Sequence, residues 1–298
     1  MPHAAIEINS HHIQLIIAND DGVVLYDDSQ PIGLGERGLL RPDRIDAALE
    51  LLEDYAMQAY DAGVAPQSVC TIATSAIRRA LNIQTFTERV KQVTQLDVRV
   101  LNGEDEAHMA WMGALGGLRL PKGPTLVIAV AGQHTEAVLG EHDRIGMNQK
   151  LELGADRLTT NFMNDSTDRY RPADLAKLRS HIDRHISRVT WRAMPRSLVA
   201  MGTLANILSQ MELNASHEVY NSVHGYRLTR AALQRWIDRL LFSSQDERVA
   251  WSRANPAVAN HLLAGACVLE SISRSARKST YSVSTGGIRH GALSAHWM

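Results

Sequence analysis

The chain has 298 residues, 45% of them apolar and 21% charged, with a net charge of −1. That leaves room for one large or two medium domains with a sizeable core, and excludes any global electrostatic pull toward nucleic acid or a membrane surface. Cys70 and Cys267 sit in apolar surroundings and form no disulfide framework, no apolar run approaches the roughly 20 residues of a membrane helix, and Glu7 interrupts any signal-like start, so a soluble cytoplasmic protein is expected.

In chain order, residues 5–18 read as strand, polar turn, strand. Asp20-Asp21-Gly22 then turns the chain into a short strand over 23–26. Pro42-Asp43 starts a helix in which Ile45, Ala48, Leu49, Leu52, Tyr55, Ala56 and Ala59 recur at helical spacing, with Gly63 as its stop. A buried strand over 68–73 leads into Thr74-Ser75-Ala76-Ile77-Arg78, and a second helix covers 82–93. The strand 98–101 precedes Asn102-Gly-Glu-Asp-Glu-Ala-His-Met109, which opens a helix running to about residue 114. Gly116-Gly117 and Pro121-Lys-Gly-Pro124 give the strongest linker signal, so domains are expected at 1–121 and 122–298.

Residues 126–140 repeat the opening hairpin: Glu7 falls on Ala129, His12 on His134 and Ala18 on Gly140. Two copies, each opening roughly half of the chain, imply two domains of like topology. Their polar turns offer convergent backbone N–H groups, a geometry suited to a phosphate chain. The second half continues with a strand ending near residue 153 and a helix over 172–189 that buries Leu175, Leu178, Ile182 and Ile186. A strand over 197–201 leads into Gly202-Thr203 and another helix, then come a helix capped by Thr229, a long helix opened by Pro256, a strand over 281–284 and the turn at Gly286-Gly287.

The two turns resemble the phosphate loops of the exopolyphosphatase/guanosine-pentaphosphate phosphohydrolase (Ppx/GppA) family, within the actin-like, sugar-kinase-like ATPase superfamily. Family loops read Asp-Ile-Gly-Ser-Asn-Ser and Asp-Ile-Gly-Gly-Gly-Ser-Thr-Glu; here they read Glu7-Ile-Asn-Ser-His-His12 and Ala129-Val-Ala-Gly-Gln-His-Thr-Glu136. Ala73-Thr-Ser-Ala-Ile-Arg78, Asn102-Gly-Glu-Asp-Glu-Ala107, Gly154-Ala-Asp-Arg-Leu-Thr159 and Val283-Ser-Thr-Gly-Gly-Ile-Arg289 resemble further family stretches, in order along nearly the whole chain. The resemblance implies an α/β protein with two actin-like/sugar-kinase-like (ribonuclease H-like) domains facing across a cleft. It implies hydrolysis of the terminal phosphate of inorganic polyphosphate or of guanosine tetra- or pentaphosphate, usually by a homodimer, with no nucleic-acid or membrane partner.

By the same resemblance Glu106 is the catalytic base. Ser10, His11, His12, Arg78, Gly132, Gln133, His134 and Thr135 meet phosphate, and Glu7 with Glu136 holds Mg²⁺. Other readings of the same residues stand beside these. Acids in a helix's first turn are favoured by the helix dipole alone, and an arginine after a turn also serves as a surface ion-pair partner. The departures fall on the site: Glu7 replaces the first loop's Asp, Ala129 removes the second, and Asn9, Ala131 and Gln133 add side chains where glycine is usual. Weakened or altered hydrolysis is therefore expected, with a non-catalytic binder of polyphosphate or alarmone as the alternative and a small-molecule kinase third. His11, His12 and His134 are expected on opposed turns at one cleft mouth. There they would contact phosphate directly or, beside carboxylates, hold a transition metal in place of Mg²⁺.

Overall fold

Apart from His3 and Glu7, the residues of the first strand, β1 (His3–Ile8), are apolar, and it is covered on both faces. A strand of that kind belongs in the middle of a sheet. It pairs antiparallel with β2 (His12–Ala18), which pairs antiparallel with β3 (Val24–Pro31). Helix α1 (Pro42–Asp61) buries all seven residues of the predicted stripe. On its other edge β1 runs parallel to β4 (Val69–Ala73), after which come the short α2 (Ser75–Arg78), α3 (Ile83–Thr94) and β5 (Val98–Val100), parallel to β4. The order β3-β2-β1-β4-β5 is that of a ribonuclease H-like sheet. This is a computed structural model, and it describes residues 1–35, 38–163, 169–214 and 223–296.

The alternation along β1 decides what its end faces. Ala4, Ile6 and Ile8 join the core under α1 and α3, whereas Ala5 joins a smaller core with Ile72, Leu101, Met109, Ala292 and Leu293. Glu7, two residues after Ala5, shares that second face. Helix α4 (Gly103–Leu115) covers it together with the C-terminal helix Ile288–His296. A Cβ on Gly113 would lie 1.9 Å from the Gly287 carbonyl oxygen, and one on Gly291 1.9 Å from that of Met109, so only glycines permit this crossing.

These elements form one of two compact units, Met1–Gly116 with Gly286–Met298; the other is Gly117–Thr285. The sequence reading carries the second domain to residue 298, whereas the last helix lies in the first unit.

The second unit comprises β6 (Thr125–Val130), β7 (Thr135–Glu141), β8 (Arg144–Leu151), α5 (Ala155–Phe162), α6 (Pro172–Ile186), β9 (Ser197–Met201) and α7 (Thr203–Leu213). It continues with β10 (Arg227–Thr229), α8 (Arg230–Phe242), α9 (Gln245–Ser252), α10 (Pro256–Ser275) and β11 (Thr280–Ser284), in the sheet order β10-β11-β9-β6-β7-β8. The hairpin β6–β7 repeats β1–β2 residue for residue. Glu7 stands opposite Gln14 and Ala129 opposite Glu136, and the next pairing slips between Ile17 and Ala18 in one copy and between Leu139 and Gly140 in the other.

The differences from the sequence reading include strand β3 and helix α9. Strand β3 continues to Pro31 because an edge strand needs no apolar alternation; most of it is exposed. Helix α9 has little apolar periodicity and is marked instead by a capping box between Ser244 and Glu247.

Candidate active site

Glu7 enters a buried place, 7% exposed, because its face of β1 is roofed by α4 and the C-terminal helix. Its Oε1 accepts from Asn9 Nδ2 at 3.4 Å and its Oε2 from the backbone N–H of Arg289 at 3.2 Å. Burial pushes its pKa up; the Arg289 charge and these hydrogen bonds oppose that, and the neighbouring Glu106 carboxylate adds to it. Arg289 itself donates from Nη2 to Asp27 Oδ1 at 2.7 Å, an ion pair that is 12% and 23% exposed. Asp27 too is raised by burial, against the pull of Arg289.

Glu106 lies in the first turn of α4. Asn102 caps that helix, its Oδ1 accepting from the N–H groups of Glu104 at 2.9 Å and Asp105 at 2.8 Å. The three acids have different surroundings. Glu104 is exposed, Asp105 is committed to Arg99 at 2.6 Å, and Glu106 is half-buried and near enough to Glu7 to raise its pKa. Arg78, half-buried at the end of α2, donates from Nη1 to the Leu101 carbonyl at 3.2 Å, just ahead of the same helix. The first unit therefore gathers Glu7, Arg78 and Glu106 around the start of α4.

The first turn is held from within. Asn9 Oδ1 accepts from the backbone N–H groups of His11 at 3.0 Å and His12 at 2.8 Å, while Asn9 N donates to the His12 carbonyl at 3.0 Å. Ser10 is buried, its carbonyl accepting from Gly35 N at 3.3 Å; the backbone past β3 also donates to the His11 carbonyl, from Ile32 at 2.7 Å and Gly33 at 3.0 Å. The side chains of His11 and His12 are exposed.

The second turn is tied from behind instead. Its Ala131 and Gly132 carbonyls accept from the N–H groups of Ala155 at 2.9 Å and Arg157 at 3.1 Å, at the N-terminus of α5. Gly154 makes this possible, since a Cβ there would fall 2.1 Å from Gln133 C and 2.4 Å from His134 N. Thr135 is fully buried and donates to the Leu153 carbonyl at 2.6 Å, so its hydroxyl serves the scaffold. Gln133 Nε2 donates to Asp156 Oδ2 at 2.8 Å, with His261 Nε2 3.4 Å from the other Asp156 oxygen. His134 Nε2 lies 3.2 Å from Glu136 Oε1. Among the described residues the backbone N–H groups of Gly132, Gln133 and His134 make no hydrogen bond, so they are available to an anion.

At the aligned positions that open the two turns the first hairpin offers a carboxylate, Glu7, and the second, at Ala129, offers none. Ala129 brings a methyl group, between Met201 on β9 and Glu136 on β7, and a thioether is a poor partner for a hard cation. Both Glu7 oxygens already accept hydrogen bonds. Among the described residues no group of three His, Cys, Asp or Glu side chains is placed to hold a metal.

Sequence reasoning passed over Arg289 as a partner of Glu7, Asp27 as the partner of Arg289, and Asp156 as the partner of Gln133. The signals were present for two of them: Arg289 closes the family-like stretch Val283–Arg289, and Asp156 lies in the family-like stretch Gly154–Thr159.

Residues 5–296 match the sequence model of the Ppx/GppA phosphatase family. The chain is 25% identical to exopolyphosphatase 2 of Mycobacterium tuberculosis, covering 92% of this chain and 91% of that one. It is 26% identical to the guanosine-5'-triphosphate,3'-diphosphate pyrophosphatase of Vibrio campbellii over 58% of this chain and 36% of that protein. The fold matches the type II crystal structure of the Aquifex aeolicus Ppx/GppA phosphatase with a TM-score of 0.88, at 27% identity over the full length of both.

Proposed function

Because the chain belongs to the Ppx/GppA phosphatase family, we propose that it is a phosphohydrolase that removes the terminal phosphate from inorganic polyphosphate or guanosine pentaphosphate, with weakened activity. Glu106 carries this reading. It is the acid of its helix turn that stands beside buried Glu7 and adds to the rise of its pKa. Hydrolysis of a phosphoanhydride needs the reacting phosphorus positioned, its oxygens' charge stabilised, and a water aligned opposite the leaving oxygen. Glu106 accepts the water's proton as it attacks. Arg78 holds equatorial phosphate oxygens with the guanidinium N–H groups that Leu101 does not take. The open amides of Gly132, Gln133 and His134 give the second unit a seat of its own for a phosphate oxygen.

Ala129 favours a second reading, a relative that binds polyphosphate or an alarmone without turning it over. Orthophosphate release from long-chain polyphosphate and from guanosine pentaphosphate, measured side by side, tests the first reading and selects the substrate. Release from either substrate that falls when Arg78 is changed to Ala supports hydrolysis. Saturable binding of the same compounds with no release supports the second reading.

A further inference from the structure

The two turns are copies in sequence position and in strand register, yet their backbone donors are in opposite states. In the second, the N–H groups of Gly132, Gln133 and His134 have no acceptor among the described residues. In the first, the corresponding His11 and His12 N–H groups converge on one oxygen, Asn9 Oδ1, at 3.0 and 2.8 Å. A carboxamide oxygen with two backbone N–H donors occupies the position of an anion oxygen in such a nest. The same carboxamide reaches back through Nδ2 to Glu7 Oε1 at 3.4 Å, which fixes its orientation and keeps its oxygen on the amides. Asn9 has no positive φ, so the backbone itself makes no demand for glycine here. What a glycine would change is the occupant of the turn.

We infer that Asn9 is a built-in occupant of the first turn's anion seat, so that Asn9 sets the affinity of the first turn for a phosphate chain while the second turn's amides stay open. The inference rests on the phosphohydrolase reading and deepens it: a phosphate oxygen gains the His11 and His12 amides only after displacing the Asn9 side chain. Asn9 is thus a specificity-determining residue that touches no reacting atom.

The test uses inorganic tripolyphosphate and the full-length chain. Calorimetric titration of Asn9→Ala, which frees the two amides, is expected to give binding at the first turn about tenfold tighter than in the original, the worth of one charge-assisted hydrogen bond. Asn9→Asp, which keeps the acceptor and adds a charge, is expected to bind more weakly. In the original chain, tripolyphosphate is expected to shift the amide resonances of Gly132, Gln133 and His134 and to leave those of His11 and His12 in place, a readout that needs no variant to fold. Equal affinity of the original and Asn9→Ala, or direct shifts at His11 and His12 in the original, would overturn the inference while leaving the phosphohydrolase reading intact. Absence of binding by every form would overturn both.

Discussion

Glu7 is where a single residue departs furthest from the chemistry its position suggests. Its pKa is raised chiefly by burial, so the folded chain keeps the proton to higher pH than the unfolded chain does. Stability from this group is therefore intact below the ordinary carboxylate range and is lost as pH rises through the folded value. Glu7→Gln keeps the shape and removes the charge. It is expected to melt at higher temperature than the original at about pH 8 and at the same temperature near pH 3; a gain equal at both would refute the assignment. Thr135 makes a second prediction. Its hydroxyl is fully buried on the Leu153 carbonyl, so Thr135→Val is expected to cost about 1–3 kcal/mol in urea denaturation. Little of this was legible in the sequence. Position in a motif marks Glu7 and Thr135 as site residues, but whether an oxygen faces solvent or a carbonyl depends on neighbours 18 or 282 residues away.

Elements were far more legible where one face is buried. The stripes of α1 and α6 repeat at helical spacing because their apolar residues meet a core, and all of the predicted positions are buried. Helix α9 and the far half of β3 were illegible because they bury little and leave no such period. The seating of the second turn on α5 gives a prediction at this scale. Gly154→Ala drives a Cβ into loop backbone, whereas a Cβ on Gly132 meets Asp156 Cβ at an ordinary 3.5 Å. The first substitution is expected to lose about 1–3 kcal/mol and most tripolyphosphate affinity. The second is expected to change stability by less than about 1 kcal/mol. Calorimetry and thermal melts on the two variants check both, and equal behaviour would show that the loop yields.

At the scale of the whole chain, the hairpin repeat was readable because a register error of one residue would put apolar side chains into water. The return of the last helix to the first unit was not, since helix Ile288–His296 follows β11 directly and its destination is set by the Gly113 and Gly291 crossing. Removing residues 286–298 is expected to raise amide exchange in α4 and β1 and to spare the second unit's β6 and β9; uniform change throughout would contradict that division.

The most direct test of hydrolysis by this chain compares the original with Glu106→Gln in two assays on one preparation: orthophosphate release from long-chain polyphosphate, and tripolyphosphate binding by calorimetry. The expected result is release slowed at least about a hundredfold in the variant, as for loss of a general base, with affinity unchanged within about twofold and the thermal melt preserved. Equal release by both forms, or binding by both without any release, would contradict it.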